Sequence, residues 1–274
     1  MQFRIKKVAV LGSGVMGSGI SCQLANVGLE VLMLDILPSK LSDDEKNNSL
    51  IRNQVAKNAL DKAIKSKPAP LYNKKYSSRI TVGNFEDDFH KIKEVDWIIE
   101  VVVERLDIKR QIFEKIEEYR SPGSIVSSNT SSIPIKLLAE GRSENFRKYF
   151  CGTHFFNPPR YMQLLELIRR EETSDQTYKT IAEFGESVLG KGIVHAKDTP
   201  NFIGNRIGIY GMMTAISLSK TYNMTVEEVD KLTGTISGRP KSATFRTADI
   251  VGLDTLKSVS LTTYNKALGD EERD

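Results

Sequence analysis

The sequence predicts an α/β protein, with a doubly wound parallel sheet over residues 1–198 and a smaller all-α unit over residues 199–274. Three observations carry this. The chain opens on a strand, a glycine turn and a helix. Strand-like apolar runs then alternate with helical patterns as far as Ala196, the pattern of parallel strands joined by right-handed crossovers. After Pro200 the composition changes and no convincing strand follows.

The opening element is the most informative. Val8 to Leu11 reads as a short buried strand, followed by Gly12-Ser13-Gly14-Val15-Met16-Gly17 and a helix on which Ile20, Leu24 and Val27 recur before Gly28 ends it. In such a turn Gly12 permits the tight bend and Gly14 lets the backbone approach a pyrophosphate. Gly17 lets the helix pack closely, and the helix N-terminus at Val15 and Met16 faces the anion. A second apolar run, Glu30 to Leu34, ends in Asp35, roughly 20 residues on, where a carboxylate reaches both hydroxyls of an adenosine ribose. Asp35 repels a 2′-phosphate and Ile36 offers it no cation, so this Rossmann-type unit is read as binding NAD rather than NADP. The alternative is a glycine-rich turn followed by an unrelated acid.

Beyond Asp35 the sequence passes through a polar loop into a helix with Val55, Ala59, Leu60, Ala63 and Ile64 on one face. The other face and the following loop carry Lys57, Lys62, Lys65, Lys67, Lys74, Lys75 and Arg79, either a solvated basic face or one that attracts a phosphate-bearing substrate. Strands are expected at Arg79–Asn84, Asp96–Glu104 and Ser124–Ser128, with a helix over Ile108–Tyr119. In a doubly wound sheet the ligand crevice lies at the carboxyl ends of the strands, and Glu104 and the Asn129–Ser132 run fall at such ends. Ser131-Ser132-Ile133-Pro134 reads as a helix start, in which Ser131 is a turn or cap serine, or Ser132 does the capping and leaves Ser131 to the site. Tyr149–Thr153 delivers His154, and Tyr161–Ile168 is a strand containing Glu166. Ser174–Leu189 is helical and Ile193–Ala196 a last short strand. Thr225 to Glu228 is a capping box opening a helix to Leu232, and Leu253–Leu268 is helical again.

Composition narrows the class. A hydrophobic share of 39% with 27% charged residues is ordinary for a soluble globular chain. No apolar run reaches membrane-spanning length, and there is no signal-peptide layout, so a cytoplasmic setting is expected. A net charge of +4 suits a small polyanionic ligand, and no nucleic-acid recognition motif is present. Cys22 and Cys151 form neither a disulfide framework nor a metal cluster, and no pair among His90, His154 and His195 has metal-ligand spacing, so no metal is expected.

Five stretches, in order, resemble one family: GSGVMGSG (12–19), SNTSS (128–132), GTHFFNP (152–158), KDTPNFIGNR (197–206) and GRPKSATFRTADIVGLDT (238–255). Together they look like the L-3-hydroxyacyl-CoA dehydrogenases of fatty-acid β-oxidation, over nearly the whole chain. The resemblance implies NAD-dependent oxidation of an L-3-hydroxyacyl-CoA to the 3-ketoacyl-CoA. Taking a proton from a 3-hydroxyl calls for a base near neutral pH, and the imidazolium formed calls for a carboxylate. His154 and Glu166 match the family's pair, while Ser131 and Asn205 match the residues that bind the reacting oxygen. Ser131, Glu104, Lys109 and Asn157 match cofactor-contacting positions; the plainer reading of Glu104 and Lys109 is an exposed ion pair near a helix start. His90 and His195 match no functional position.

The resemblance further implies an acyl-CoA partner, and a homodimer where the helical domain is complete. GRPKSATFRTAD and the ending GDEERD resemble the bacterial multifunctional form, with an enoyl-CoA hydratase-like domain following. Family members continue past this point, so the chain is read as a truncated one. They often carry glycine where this chain has Asn201. The rival readings are a non-catalytic fragment that binds NAD or acyl-CoA, and a dehydrogenase of a free β-hydroxy acid.

Overall fold

The computed structural model describes residues 5–270, so the last four residues of the GDEERD ending lie outside the described residues. One sheet holds β1 (Lys7–Leu11), β2 (Glu30–Asp35), β3 (Ile80–Asn84), β4 (Trp97–Glu100), β5 (Ile125–Ser128), β6 (Phe150–Phe155), β7 (Leu164–Ile168) and β8 (Gly192–Ala196). Their spatial order is β3-β2-β1-β4-β5-β6-β7-β8. The chain reverses its direction of growth across the sheet between β1 and β4, the switch point at which such folds bind ligands.

Every neighbouring pair is parallel except β6 and β7. This departs from a wholly parallel sheet, and the reason is length. A parallel return needs a crossover of about a dozen residues or more, and the 156–163 segment is too short to supply one. The chain turns straight back, and Glu166 pairs directly with His154. Helix Asp175–Ser187 then provides the crossover that sets β8 parallel to β7.

Val8 to Leu11 and Trp97 to Glu100 are buried throughout, as central strands covered on both faces must be. The Trp97 indole donates to Ser127 Oγ at 2.9 Å and the Thr153 hydroxyl to the same oxygen at 2.7 Å, so these buried polar groups are satisfied. Helix Val15–Asn26 lays Ile20 and Leu24 into the core, each contributing about 1.5–3 kcal/mol by burial. It ends in a Schellman turn, with Gly28 at φ +94° donating to the Ala25 carbonyl and Leu29 to that of Leu24. Strand β4 stops at Glu100, short of the expected Glu104, because the Glu100 carboxylate takes the Val102 N–H at 2.8 Å and the chain leaves the ladder. Cys22 and Cys151 are free and buried, and burial pushes both thiols up to about 12.

The chain divides into two compact units between Asp198 and Thr199. The second contains helices Gly204–Thr221, Val226–Leu232, Phe245–Val251 and Leu253–Lys266, and no strand among the described residues. Thr225 and Glu228 form the reciprocal capping box the sequence announces. Asn201, at φ +58°, occupies the left-handed region that glycine and asparagine adopt most readily. Among the described residues no helix is long and apolar enough to cross a membrane.

Candidate active site

The glycine turn sits where β1 ends against β4. Gly12 has φ +107°, and a Cβ there would lie 2.6 Å from the Val101 carbonyl oxygen. At Gly17 a Cβ would come within 1.8 Å of the Gly12 carbonyl oxygen, so this glycine is required by the turn itself. At Gly14 a Cβ would meet no protein atom within 4 Å, so nothing in the protein demands glycine there. In glycine turns of this kind such open space is what lets the backbone approach a pyrophosphate. The helix begins at Val15, which is exposed, while Met16 packs on the core. Asp35, at the end of β2, takes the Ser13 N–H at 2.6 Å, the Ser13 hydroxyl, and the Ile36 N–H at 2.7 Å. Open backbone and a helix N-terminus supply donors for phosphate, and a fixed carboxylate supplies an acceptor for ribose hydroxyls, the combination an adenine dinucleotide needs.

A buried charge cluster stands at the ends of β4 and β5. Glu100 and Lys109 are both almost wholly buried. Lys109, on helix Leu106–Tyr119, donates to Glu100 Oε1 at 2.6 Å and to the Val102 carbonyl at 3.2 Å, and pairs with Glu104 Oε2 at 3.3 Å. The Ser128 hydroxyl donates to Glu100 Oε2 at 2.5 Å. Burial pushes the Glu100 carboxyl up against the pull of Lys109. Glu104 Oε1 accepts the Thr130 hydroxyl at 2.6 Å, the Ser131 and Ser132 N–H groups at 3.0 and 2.9 Å, and the Ser132 hydroxyl at 3.0 Å. Burial would raise the Glu104 carboxyl, but Lys109 and the bonds from Thr130 and Ser132 outweigh it and hold it below the usual range.

Two expectations are corrected here. The reading of Glu104 and Lys109 as an exposed ion pair fails at the lysine, which is turned inward onto three acceptors, while Glu104 remains about a third exposed. Nor does Ser132 cap the next helix, because its hydroxyl is committed to Glu104. Helix Ile135–Leu138 begins after Pro134, and its first N–H groups, Ile135 and Lys136, go to Asp198 at 2.8 Å each.

His154 and Glu166 face each other across β6 and β7, with Nδ1 2.6 Å from Oε2. The histidine is 5% exposed and the glutamate 0%, which excludes a solvent-facing role for Glu166. A carboxylate on Nδ1 favours the tautomer with its hydrogen there and makes Nε2 the basic nitrogen. The strand end is tied to the SNTSS turn, because the Phe155 N–H donates to Asn129 Oδ1 at 2.8 Å. The following loop reaches the cofactor helix, since a Cβ on Gly19 would lie 2.9 Å from the Pro159 ring. Asn157 is exposed on that loop, and Asn205 is half-buried in the first turn of Gly204–Thr221, in the other unit.

Glu100, Ser128 and Asp198 carry no role from the sequence alone, and Asn129 and Thr130, expected at a strand end beside the crevice, gain specific partners only in the structure. Glu100 carried a usable signal: a carboxylate inside the apolar run Trp97-Ile98-Ile99-Glu100-Val101 must find a buried cation.

A Rossmann-type sheet with an anion-ready glycine turn, and a histidine–glutamate pair on the same sheet, defines a dinucleotide-binding protein of the dehydrogenase type. The description "3-hydroxyacyl-CoA dehydrogenase, NAD binding domain" matches residues 7–199, and "3-hydroxyacyl-CoA dehydrogenase, C-terminal domain" matches residues 202–274. The chain belongs to the 3-hydroxyacyl-CoA dehydrogenase family. It is 54% identical over 278 residues to a Bacillus subtilis protein named probable 3-hydroxyacyl-CoA dehydrogenase, covering 99% of this chain and 35% of that one. A Deinococcus radiodurans protein of the same name is 48% identical, covering 94% and 72% respectively. The chain therefore spans about a third of the Bacillus relative and nearly three quarters of the Deinococcus one. Among solved structures, (S)-3-hydroxybutyryl-CoA dehydrogenase from Ralstonia eutropha superposes with a TM-score of 0.77 at 31% identity, covering 98% of this chain and 90% of that one.

Proposed function

We propose that the protein oxidises an L-3-hydroxyacyl-CoA to the 3-ketoacyl-CoA with NAD. The observation that carries the reading is the buried His154–Glu166 pair, 2.6 Å apart on a sheet that also bears the glycine turn and Asp35. His154 Nε2 takes the substrate hydroxyl proton, and Glu166 orients the ring and stabilises the imidazolium. Ser131, with its N–H and hydroxyl beside Glu104, and Asn205, from the helical unit, are the proposed donors to the substrate oxygen. Gly12, Gly14, Val15, Met16, Gly17 and Asp35 hold the dinucleotide, with Asn157 beside its nicotinamide end. Glu104 and Lys109 act by fixing the Ser131 turn. NAD, when bound, accepts the hydride from C3.

The basic segment supports a CoA substrate over a free hydroxy acid. Lys57 pairs with Asp61, and Arg79 donates to the Ala25 carbonyl, so these two are already engaged. Lys62, Lys65, Lys67, Lys74 and Lys75 are exposed and form no ion pair among the described residues, which suits the phosphates of CoA. Self-association through the helical unit is proposed as well, supported by the exposed apolar side chains Ile207, Ile250 and Leu253.

The test is NADH formation from 3-hydroxybutyryl-CoA and longer homologues. His154→Gln lowers it by about 10²-fold or more while leaving NAD affinity within about twofold, the pattern of a lost proton acceptor. Near-normal turnover by the variant rejects the mechanism.

A further inference from the structure

Arg160, on the loop six positions after the catalytic histidine, makes contacts that the chemistry does not call for. Its guanidinium stacks over the rings of Tyr72, at 4.4 Å, and Tyr161, at 4.9 Å. Its Nη1 donates to the carbonyls of Ala69, at 2.6 Å, and Leu71, at 3.0 Å. The Tyr161 hydroxyl reaches the same Ala69 carbonyl at 2.9 Å. Arg160 therefore grips the 67–72 segment, which lies between helix Gln54–Lys65 and the turn Lys74–Arg79.

That segment has little means of holding itself. Pro68 and Pro70 lack N–H groups, and it contains no helix or strand. Its carbonyls at Ala69, Pro70 and Leu71 are all taken by side chains from elsewhere, the middle one by Asn26 Nδ2 at 2.9 Å. The base from which Arg160 reaches is itself fixed. The buried Lys191 ammonium donates to the Met162 carbonyl at 2.7 Å and to that of Pro159. Lys67 opens the gripped segment, Lys62 and Lys65 stand before it and Lys74 and Lys75 after it, and none of the five forms an ion pair among the described residues.

We propose that Arg160 is a specificity-determining positioning residue. By clamping the 67–72 segment to the histidine loop, it holds the lysine-rich surface where the nucleotide phosphates of a CoA thioester bind. This rests on the acyl-CoA reading above. A planar, forked donor that also stacks on two rings is something lysine cannot imitate, so Arg160→Lys behaves like Arg160→Ala.

The experiment uses the full chain and three readouts. Calorimetry with CoA, pantetheine and NAD as probes gives affinities, steady-state rates with 3-hydroxybutyryl-CoA and its pantetheine thioester give kcat and KM, and limited trypsin digestion reads opening after Lys74 and Lys75. In both variants CoA affinity falls about tenfold, the size of a lost charged hydrogen-bond pair, while pantetheine and NAD affinities hold. KM for the CoA thioester rises by a similar factor with kcat within about twofold, and KM for the pantetheine thioester stays put. Trypsin cleavage after Lys74 and Lys75 accelerates by about tenfold, since local opening has become easier. Unchanged proteolysis, unchanged CoA affinity, or equal losses for CoA and pantetheine each overturn the proposal. If the unsubstituted protein binds no CoA, the acyl-CoA reading itself falls and takes the proposal with it. CoA binding that survives Arg160→Ala overturns the clamp alone.

Discussion

Two buried acid–base pairs stand on this sheet, and they are built differently. His154 and Glu166 meet across two antiparallel strands, each side chain delivered by its own ladder rung. Glu100 and Lys109 meet between a strand end and a helix, and the pair is wrapped by Ser128, the Val102 backbone and Glu104. The first pair contains an imidazole, a side chain that can both take up and hand on a proton. The second holds a lysine ammonium against two carboxylates and a backbone carbonyl. A buried ammonium turned onto three protein acceptors serves architecture, and here it orients Glu104 and through it the Ser131–Ser132 turn. A buried imidazole held by one carboxylate is suited to chemistry. The pairs should accordingly fail in different ways.

The largest effect is expected on rate. His154→Gln lowers turnover by about 10²–10⁴-fold or more, with a thermal midpoint near that of the unsubstituted protein, measured by NADH absorbance and calorimetry. Glu166→Gln, which keeps the shape but favours the wrong tautomer, follows with a loss of about 10²-fold or more in kcat. A large stability loss with normal kcat in either variant would erase the distinction.

Next is Lys109→Met, which strands the Glu100 carboxylate in the core and lowers unfolding free energy by about 3–5 kcal/mol in urea titration. Adding Glu100→Leu removes the stranded charge and should restore part of that loss. If the double variant is no more stable than the single one, the pair is not the architectural element described here. Asp198→Ala strips two N–H caps from helix Ile135–Leu138 and costs about 1–2 kcal/mol, intermediate between the two arrangements.

The smallest effect is on acid stability. Because the folded state holds the Glu104 carboxyl below its unfolded value, this group contributes stability that is full above the ordinary carboxylate range and is lost as pH falls through the folded value. Glu104 is about a third exposed, so solvent screening limits the contribution to about 0.5–1 kcal/mol. Glu104→Gln should flatten the fall in thermal midpoint below about pH 4.5, and an identical acid limb in both proteins would assign the sensitivity elsewhere.

Much of the fold was legible because its signals are local. The glycine turn, the strand–helix alternation, the Thr225 capping box and the helix stop at Gly28 each depend on residues a few positions apart. The meeting of His154 and Glu166 was legible for a related reason: they lie on consecutive strands with a short connection. The inward turn of Lys109 was not, because a lysine in the first turns of an amphipathic helix looks like any solvated one until the buried Glu100 is placed opposite it. Ser132 misled for the same reason. A serine before proline fits a cap, and only the arrival of Glu104, from 28 residues earlier in the chain, shows the hydroxyl already spent.

The sequence by itself determined the doubly wound class, the glycine turn, the preference for NAD and the family, since these follow from residue type, spacing and period, whereas the antiparallel return of β7 on β6 came from the structure. The tertiary structure decided which side chains are spent on one another. Asp198 caps a helix 62 and 63 residues earlier in the chain, Arg160 reaches carbonyls 89 and 91 residues before it, and Glu100 buries a lysine. Such pairings leave no periodic trace, because a hydrogen bond depends on atoms a few ångströms apart in space and is indifferent to their separation along the chain.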